Sequence, residues 1–95
     1  MSVTRVGEFQ ARAGQAEALR AQIHAFVPLI QASPGCQSCL ALQSQDDPAR
    51  FVIIEVWDSV EAHQASVQRI PQRLLNDTIR LLAGPPRGGY YGTVD

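Results

Sequence analysis

Residues 46–63 read DDPARFVIIEVWDSVEAH, and the rest of the chain is arranged around this stretch. Asp46 to Ala49 has the composition of a hairpin turn, and Arg50 to Trp57 is predicted to be a strand with apolar side chains on both faces. Asp58, with Glu61 three residues later, predicts a capped helix that begins directly after the strand. Both faces of this strand therefore need cover from other parts of the protein.

The residues on either side of this stretch change their hydrophobic period in a regular order. With the strand from Arg50 to Trp57, the order is strand, helix, strand, strand, helix, strand. This is the split βαβ arrangement of an α+β, ferredoxin-like fold with one antiparallel sheet, and we expect residues 1–95 to form a single domain. The other predicted elements are a strand from Val3 to Arg12, a helix from Gln15 to Ala32, a strand from Cys36 to Gln45, helical residues after Asp58 with a break at Ile70-Pro71, and a strand from Gly89 to Val94.

The helices of a ferredoxin-like fold cover one face of the sheet, so the second face of the strand at 50–57 needs a partner. We assign Val52, Ile54 and Val56 to the face under the helices. The residues that then point toward a cavity or a second subunit are Phe51, Ile53, Glu55 and Trp57. The economical solution is a homodimer in which two sheets meet face to face, a dimeric α/β barrel with a cavity between sheet and helices.

The composition of the chain excludes several classes of function. The formal net charge is −1 over 95 residues and no basic face is visible, which argues against a nucleic-acid partner. No stretch approaches the roughly 20 apolar residues of a membrane span, and residues 1–5 lack the apolar region of a secretory signal. We therefore expect a cytoplasmic protein with no membrane partner.

Four segments of the sequence, in order, resemble the antibiotic biosynthesis monooxygenase (ABM) family of dimeric α/β barrels. They are Gly35-Cys36, residues 46–52, residues 54–59 and residues 61–65. The resemblance implies the fold predicted above and a cofactor-independent monooxygenase activity, in which a hydroxylated aromatic substrate of quinol or anthrone type reacts with O₂. It implies no cofactor and no metal. The alternative is a barrel without catalytic activity that binds a small apolar ligand.

Two departures from the family pattern bear on the activity. Many members carry a histidine three positions after the one that corresponds to His63, and here that position is Ser66, which favours the non-catalytic alternative. The haem-degrading branch of the family has a different set of site residues. That set includes an asparagine in the first strand and a helical histidine where this chain has Val67. The first strand here contains no asparagine, so haem degradation is not expected.

Trp57 and Glu55 are two residues apart in a strand, so both side chains face the same way. We expect Trp57 to be a flat wall for an aromatic substrate and Glu55 to be a catalytic hydrogen-bond acceptor or base beside it. The alternatives are that Trp57 fills the core or the dimer contact, and that Glu55 pairs with an arginine such as Arg50 or Arg69.

His63 lies six residues after Trp57, within the first two turns of the following helix, and can lean back over the mouth of the cavity. An imidazole that titrates near neutrality suits deprotonation of a phenol, so His63 is the expected catalytic base. The alternative is a histidine that faces solvent. The remaining predicted substrate contacts are Phe51, Ile53, Tyr90 and Cys39. The alternative for Tyr90 is that the last strand lies at the edge of the sheet and that Tyr90 and Tyr91 serve the dimer contact.

Cys36-Gln37-Ser38-Cys39 is formally a C-x-x-C motif, but it opens a strand rather than the helix that would stabilise a redox-active thiolate. Residues three apart in a regular strand face opposite sides and lie roughly 10 Å apart, beyond the reach of a disulfide. We therefore expect two free thiols and no metal site, with Cys39 as a small interior side chain.

Overall fold

Four strands and three helices make up the protein in a computed structural model that describes residues 2–95. The strands form one sheet in the order β2-β3-β1-β4, and every neighbouring pair is antiparallel. This ferredoxin-like arrangement confirms the predicted fold class. Between residues 2 and 95 no helix is both long enough and apolar enough to cross a bilayer. The elements are β1 (Val3–Gln10), α1 (Ala16–Gln31), β2 (Cys36–Gln43), β3 (Arg50–Trp57), α2 (Val60–Arg69), α3 (Gln72–Ile79) and β4 (Arg87–Tyr91).

Three of the strands end earlier than the pattern predicts, whereas β3 has the predicted bounds. β1 stops at Gln10 because the chain then leaves the sheet, and Ala11 forms an isolated bridge with Leu82. β4 begins at Arg87 and ends at Tyr91, since it pairs with β1 only between Thr4 and Glu8 of that strand. These shifts leave the order and pairing of the strands unchanged.

The helix after β3 is capped one residue later than predicted, by Ser59 rather than Asp58. The N–H of Ala62 donates to Ser59 Oγ at 3.1 Å. The Asp58 carboxylate instead accepts a hydrogen bond from Gln37 Nε2 at 2.8 Å, and its backbone N–H donates to the carbonyl of Gly35 at 2.8 Å. Asp58 therefore ties the end of β3 to the start of β2, and Ser59 starts α2.

Gly35, directly before β2, allows α2 to approach the sheet closely. Its φ of 86° lies in the left-handed region that favours glycine. A Cβ at this position would stand 2.7 Å from the Cβ of Ala62, a separation too short for two carbon atoms. Glycine is thus required here both by its backbone conformation and by the position of α2.

The pattern predicts the two faces of β3 the wrong way round. Buried under the helices are Phe51, Ile53, Glu55 and Trp57, and half-buried on the opposite face are Val52, Ile54 and Val56. The core also contains four side chains of α1, namely Leu19, Ile23, Phe26 and Ile30. Alternation separates the two rows, but since both rows are apolar it does not say which one the helices cover. The row with the larger aromatic side chains buries more area there.

The face of the sheet that carries no helix, here called the open face, is apolar as well. Leu40 is 56% exposed, and Leu42 and Tyr91 are also exposed. Contiguous apolar surface of this kind is uncommon on a monomer. The need for cover therefore applies to the open face and not to the row that contains Trp57. The apolar residues of the open face are Val6, Leu40, Leu42, Val52, Ile54, Val56 and Tyr91.

Candidate active site

Five polar and aromatic side chains meet on the helix side of the sheet, near the end of β3. We call Arg5, Glu55, Trp57, His63 and Tyr90 the Trp57 cluster. Arg5 pairs with Glu55 on one side and with Tyr90 on the other, so three adjacent strands hold these residues in one row. The imidazole of His63 comes from α2, which is separated from β3 by only two residues. Strand register and one short connection therefore build the cluster.

The indole of Trp57 is the buried base of the cluster. Trp57 is 0% exposed and Glu55 is 8% exposed. Trp57 Nε1–H donates to Glu55 Oε1 at 2.8 Å, so the carboxyl group fixes the orientation of the indole ring. Within a single chain, Trp57 is therefore a core residue, as the alternative interpretation held. Glu55 is hydrogen-bonded to Trp57 rather than paired with an arginine. The guanidinium of Arg50 instead donates to Gln10 at 3.4 Å.

The environment of Glu55 favours its neutral form. Burial raises the pKa of the Glu55 carboxyl, while the hydrogen bond from Trp57 and the charge of Arg5 act in the opposite direction. One oxygen of the Glu55 carboxyl group is engaged by Trp57, and the clearest structural role of Glu55 is to hold the indole.

Replacing Glu55 by glutamine should raise the melting temperature at neutral pH by a few degrees. The amide oxygen can still accept from Trp57, but no charge is buried. Because the pKa of Glu55 is raised in the folded state, its contribution to stability is full at acid pH and is lost as the pH rises through that raised pKa. Thermal unfolding followed by circular dichroism should therefore show a larger gain at about pH 8 than at about pH 4.

The matched control for this change is Glu61→Gln in the exposed first turn of α2, where a carboxylate favours the helix N-terminus and its loss should give no gain. A gain from Glu55→Gln that is equal at both pH values would contradict a destabilising buried carboxyl.

His63 lies against both aromatic neighbours instead of facing solvent. Its Nδ1 is 2.6 Å from the hydroxyl oxygen of Tyr90. The imidazole ring meets Trp57 edge to face at 5.6 Å between ring centres and meets Tyr90 at 5.3 Å, with interplanar angles of 69° and 76°. The ring is therefore held between α2, β3 and β4.

The surroundings of His63 keep its imidazole neutral. Burial lowers the pKa of His63, and the positive charge of Arg5 lowers it further. A neutral imidazole can make its bond to Tyr90 in two ways, either by donating from Nδ1–H or by accepting from the Tyr90 hydroxyl at Nδ1. In the first tautomer Nε2 carries a free lone pair, which is the form that a general base requires.

Ser66, at the position where the family resemblance led us to look for a second histidine, is buried and turned toward its own helix. Its Oγ–H donates to the carbonyl oxygen of His63 at 2.6 Å. This position therefore supplies no second imidazole to the cluster, and Ser66 instead stabilises the turn of α2 that carries His63.

Arg5 is the member of the cluster that the sequence pattern did not identify. Its guanidinium carbon lies 4.9 Å from the centre of the Tyr90 ring. The side chain passes over Gly88, where any Cβ would collide with the guanidinium. The alternation of the strand could have identified it. Arg5 shares a face with Val3, Gly7 and Phe9, and a charged residue in an otherwise apolar row is unusual.

The other predicted substrate contacts lie away from the Trp57 cluster. An open groove of about 810 Å³ runs between α1 and β2 and is lined by Cys39 and Phe51, but not by Trp57. Ile53 is buried between these regions. Cys39 is the cross-strand partner of Glu55, so the groove reaches the edge of the cluster. The structure thus brings together Glu55, Trp57, His63 and Tyr90, and separates Phe51 from them.

The two cysteines are free, but the prediction that they face opposite sides is wrong. A β-bulge between Cys36 and Ser38 places Cys36 opposite Trp57 and Cys39 opposite Glu55, so both thiols lie on the helix side. Burial and the nearby Glu55 raise the pKa of both thiols, and that of Cys39 rises to about 12. Both groups are therefore protonated at neutral pH and are poor nucleophiles.

Comparison with known proteins agrees with this architecture. Residues 2–72 match the family model described as antibiotic biosynthesis monooxygenase. Among solved structures, Rv0793 from Mycobacterium tuberculosis superposes with a TM-score of 0.86 at 24% identity, covering 100% of this chain and 97% of that one. PA3566 from Pseudomonas aeruginosa gives a TM-score of 0.84 at 22% identity, with 99% and 95% covered.

A third similar structure has a described activity. SnoaB from Streptomyces nogalater, described as a cofactor-independent oxygenase, superposes with a TM-score of 0.83 at 18% identity, covering 99% of this chain and 94% of that one. At such identities these likenesses establish the fold. A search of curated proteins finds no significant match.

Proposed function

Because this chain belongs to the antibiotic biosynthesis monooxygenase family, we propose that it is a cofactor-independent monooxygenase acting on a hydroxylated aromatic molecule of quinol or anthrone type. The observation that carries the proposal is the position of the His63 imidazole, held by Tyr90 against a buried indole, where burial lowers its pKa. Such a site can accept a phenolic proton in surroundings with little water. The family supports an oxygenase in general, and the substrate class belongs to the proposal.

In the proposed reaction His63 Nε2 takes the proton of a substrate phenol, and Tyr90 holds the imidazole by its other nitrogen. The phenolate gives one electron to O₂, forming a phenoxyl radical and superoxide. These two recombine at a ring carbon that bears hydrogen, and the resulting peroxide takes up the proton to become a hydroperoxide. Loss of water then leaves a quinone, so one oxygen atom enters the product and the other leaves as water. The electrons come from the substrate itself.

The protein contributes position and desolvation to these steps. Trp57 offers a flat surface against which an aromatic ring can lie, and Glu55 prevents the indole from turning. The groove beside Cys39 is within the size range of small-molecule sites and offers a route from solvent toward the cluster. A substrate reaches the indole only when side chains that cover it move aside, since Trp57 is fully covered in the free protein.

We also propose that the working unit is a homodimer joined through the open face. The support is the exposed apolar surface centred on Ile54, which no helix covers. Two such faces laid together bury that surface symmetrically, and an obligate contact of this kind is typically apolar.

Ile54→Glu should shift the dimer toward monomer by at least about tenfold in the dissociation constant, because a charge would be buried at the centre of the contact. Sedimentation or light scattering at micromolar concentration measures the shift. The matched control is Leu29→Glu, which places the same charge on an exposed apolar position of α1, away from the open face. A wild-type protein that is monomeric at this concentration would contradict the dimer.

A second candidate function is binding without turnover. Ser66 in place of a histidine and the complete burial of Trp57 both favour it. Oxygen consumption with a panel of hydroquinones and anthrones decides between the two functions. Consumption of one O₂ for each quinone formed, with one oxygen atom entering the product and no hydrogen peroxide released, supports the monooxygenase. Thermal stabilisation by the same compounds without consumption supports the binding protein.

A further inference from the structure

Arg5 is a charged side chain that enters the Trp57 cluster without an ionic partner. Across residues 2–95 the one ion pair within 4.0 Å joins Asp77 on α3 to Arg80, the C-terminal cap of that helix. No side-chain hydrogen bond in this range involves Arg5. Its side chain is half-buried on the helix side of the central strand. A guanidinium withdrawn from water normally gains a carboxylate or a comparable anion in exchange.

No neighbouring carboxylate contacts the guanidinium, although Glu55 lies near enough for the two charges to interact. Glu55 is the cross-strand partner of Arg5, but its oxygen accepts from Trp57 and the two side chains form no ion pair. Glu8, the carboxylate of β1 itself, pairs with Val52 and so belongs to the open face. On the helix side, then, the positive charge of Arg5 is not matched by a contacting negative charge in the described chain.

The orientation of Arg5 is nevertheless fixed. Stacking on the ring of Tyr90 and the absence of a side chain at Gly88 give the guanidinium a flat place to lie, with its N–H edge free. A planar guanidinium with free N–H groups matches a carboxylate or another pair of negative oxygens. Tyr90 touches both Arg5 and His63, so one aromatic ring lying over Tyr90 can present oxygen to both.

We propose that Arg5 is an anion-binding residue of this site, and that the molecule it accepts is a hydroxylated aromatic carrying a negatively charged oxygen. That oxygen is either a carboxylate substituent or the ionised phenol itself. The inference rests on the proposed function only in that the site receives a hydroxylated aromatic. Turnover is not required, so binding measured without O₂ tests it separately.

Two matched pairs of probes distinguish the sources of charge in calorimetric titrations of the full chain under nitrogen. 2,5-Dihydroxybenzoate against hydroquinone tests a carboxylate, and 4-nitrophenolate against 4-nitroanisole tests an ionised phenol. Wild-type protein should prefer the anion in at least one pair by roughly 10- to 100-fold, the range for hydrogen bonds to a charged group. The preferred pair identifies the source.

Three variants assign that preference to Arg5. Arg5→Gln should abolish it and Arg5→Lys should keep part of it, because lysine retains the charge without the planar donors. Gly88→Ala should weaken it by displacing the guanidinium while leaving its charge intact, which also serves if Arg5→Gln does not fold. The control Arg73→Gln removes an exposed arginine from α3 and should change nothing.

The inference is overturned if no probe binds wild-type protein at millimolar concentration, if neither anion is preferred, or if the preference survives in folded Arg5→Gln. Anion binding that depends on Arg5 without oxygen consumption supports the inference and removes the proposed oxygenase. Oxygen consumption that does not change with Arg5→Gln or with substrate charge supports the oxygenase and removes the inference about Arg5.

Discussion

Replacing His63 by alanine should lower turnover by about 10²- to 10⁴-fold and leave the oligomeric state unchanged. The imidazole is the one neutral base of the Trp57 cluster, and Tyr90 holds it in place at 2.6 Å. Its side chain is half-buried at the rim of the core, so its removal affects chemistry more than folding. Oxygen consumption at saturating substrate measures the loss, and light scattering reports the assembly.

The matched control for His63→Ala is Gln64→Ala, which truncates the next, exposed residue of α2 without touching the cluster. The pH dependence gives a second test in the wild-type protein. Because burial and Arg5 lower the pKa of His63, kcat/KM should fall with an apparent pKa below the ordinary histidine value as the solution becomes more acid. Unchanged kinetics in His63→Ala would remove this residue from the mechanism.

Replacing Trp57 by alanine should lower the free energy of unfolding by about 3–5 kcal/mol, the usual range for deleting a buried aromatic side chain. Trp57 has no exposed surface, and its indole N–H satisfies the buried carboxyl of Glu55. Its loss therefore leaves both a cavity and an unpaired polar group. Urea unfolding followed by circular dichroism, at equal protein concentration for all variants, measures the change.

A double-mutant cycle separates the two causes. Trp57→Phe keeps much of the ring but removes the donor, and leaving Glu55 without it should cost about 1–3 kcal/mol. In a Glu55→Gln background the same change should cost less, since an uncharged amide is cheaper to leave unpaired. If Trp57→Ala costs less than about 1 kcal/mol, the indole is not an integral part of the core.

The sequence pattern predicts the elements well because local signals set them. The bounds of β3 follow from a hairpin turn at 46–49 and a capping residue at its other end, and the helix breaks at Ile70-Pro71 as expected. Such local signals do not show which of the two rows of β3 side chains faces the helices. Both rows are apolar, so only the packing of α1 against one of them decides which is buried.

The candidate site divides in the same way. Trp57 and Glu55 share a strand, and their spacing is sufficient to place them together. His63 and Tyr90 are 27 residues apart and meet because β4 lies beside β1, so their contact depends on sheet order and on the docking of α2. Arg5 is recognised only when its cross-strand neighbours on both sides are known.

The β-bulge at the start of β2 has a consequence for how the chain tolerates change in length. The hairpin at 46–49 sets the register of β2 from one end, and Gly35 with its tie to Asp58 sets it from the other. These two anchors disagree by one residue, and Gln37 absorbs the difference. Deletion of Gln37 should therefore remove the bulge without displacing Leu40 and Leu42 from the open face. The part of β2 from Ser38 to Gln43 keeps its register with β3 whatever the length of the strand before it.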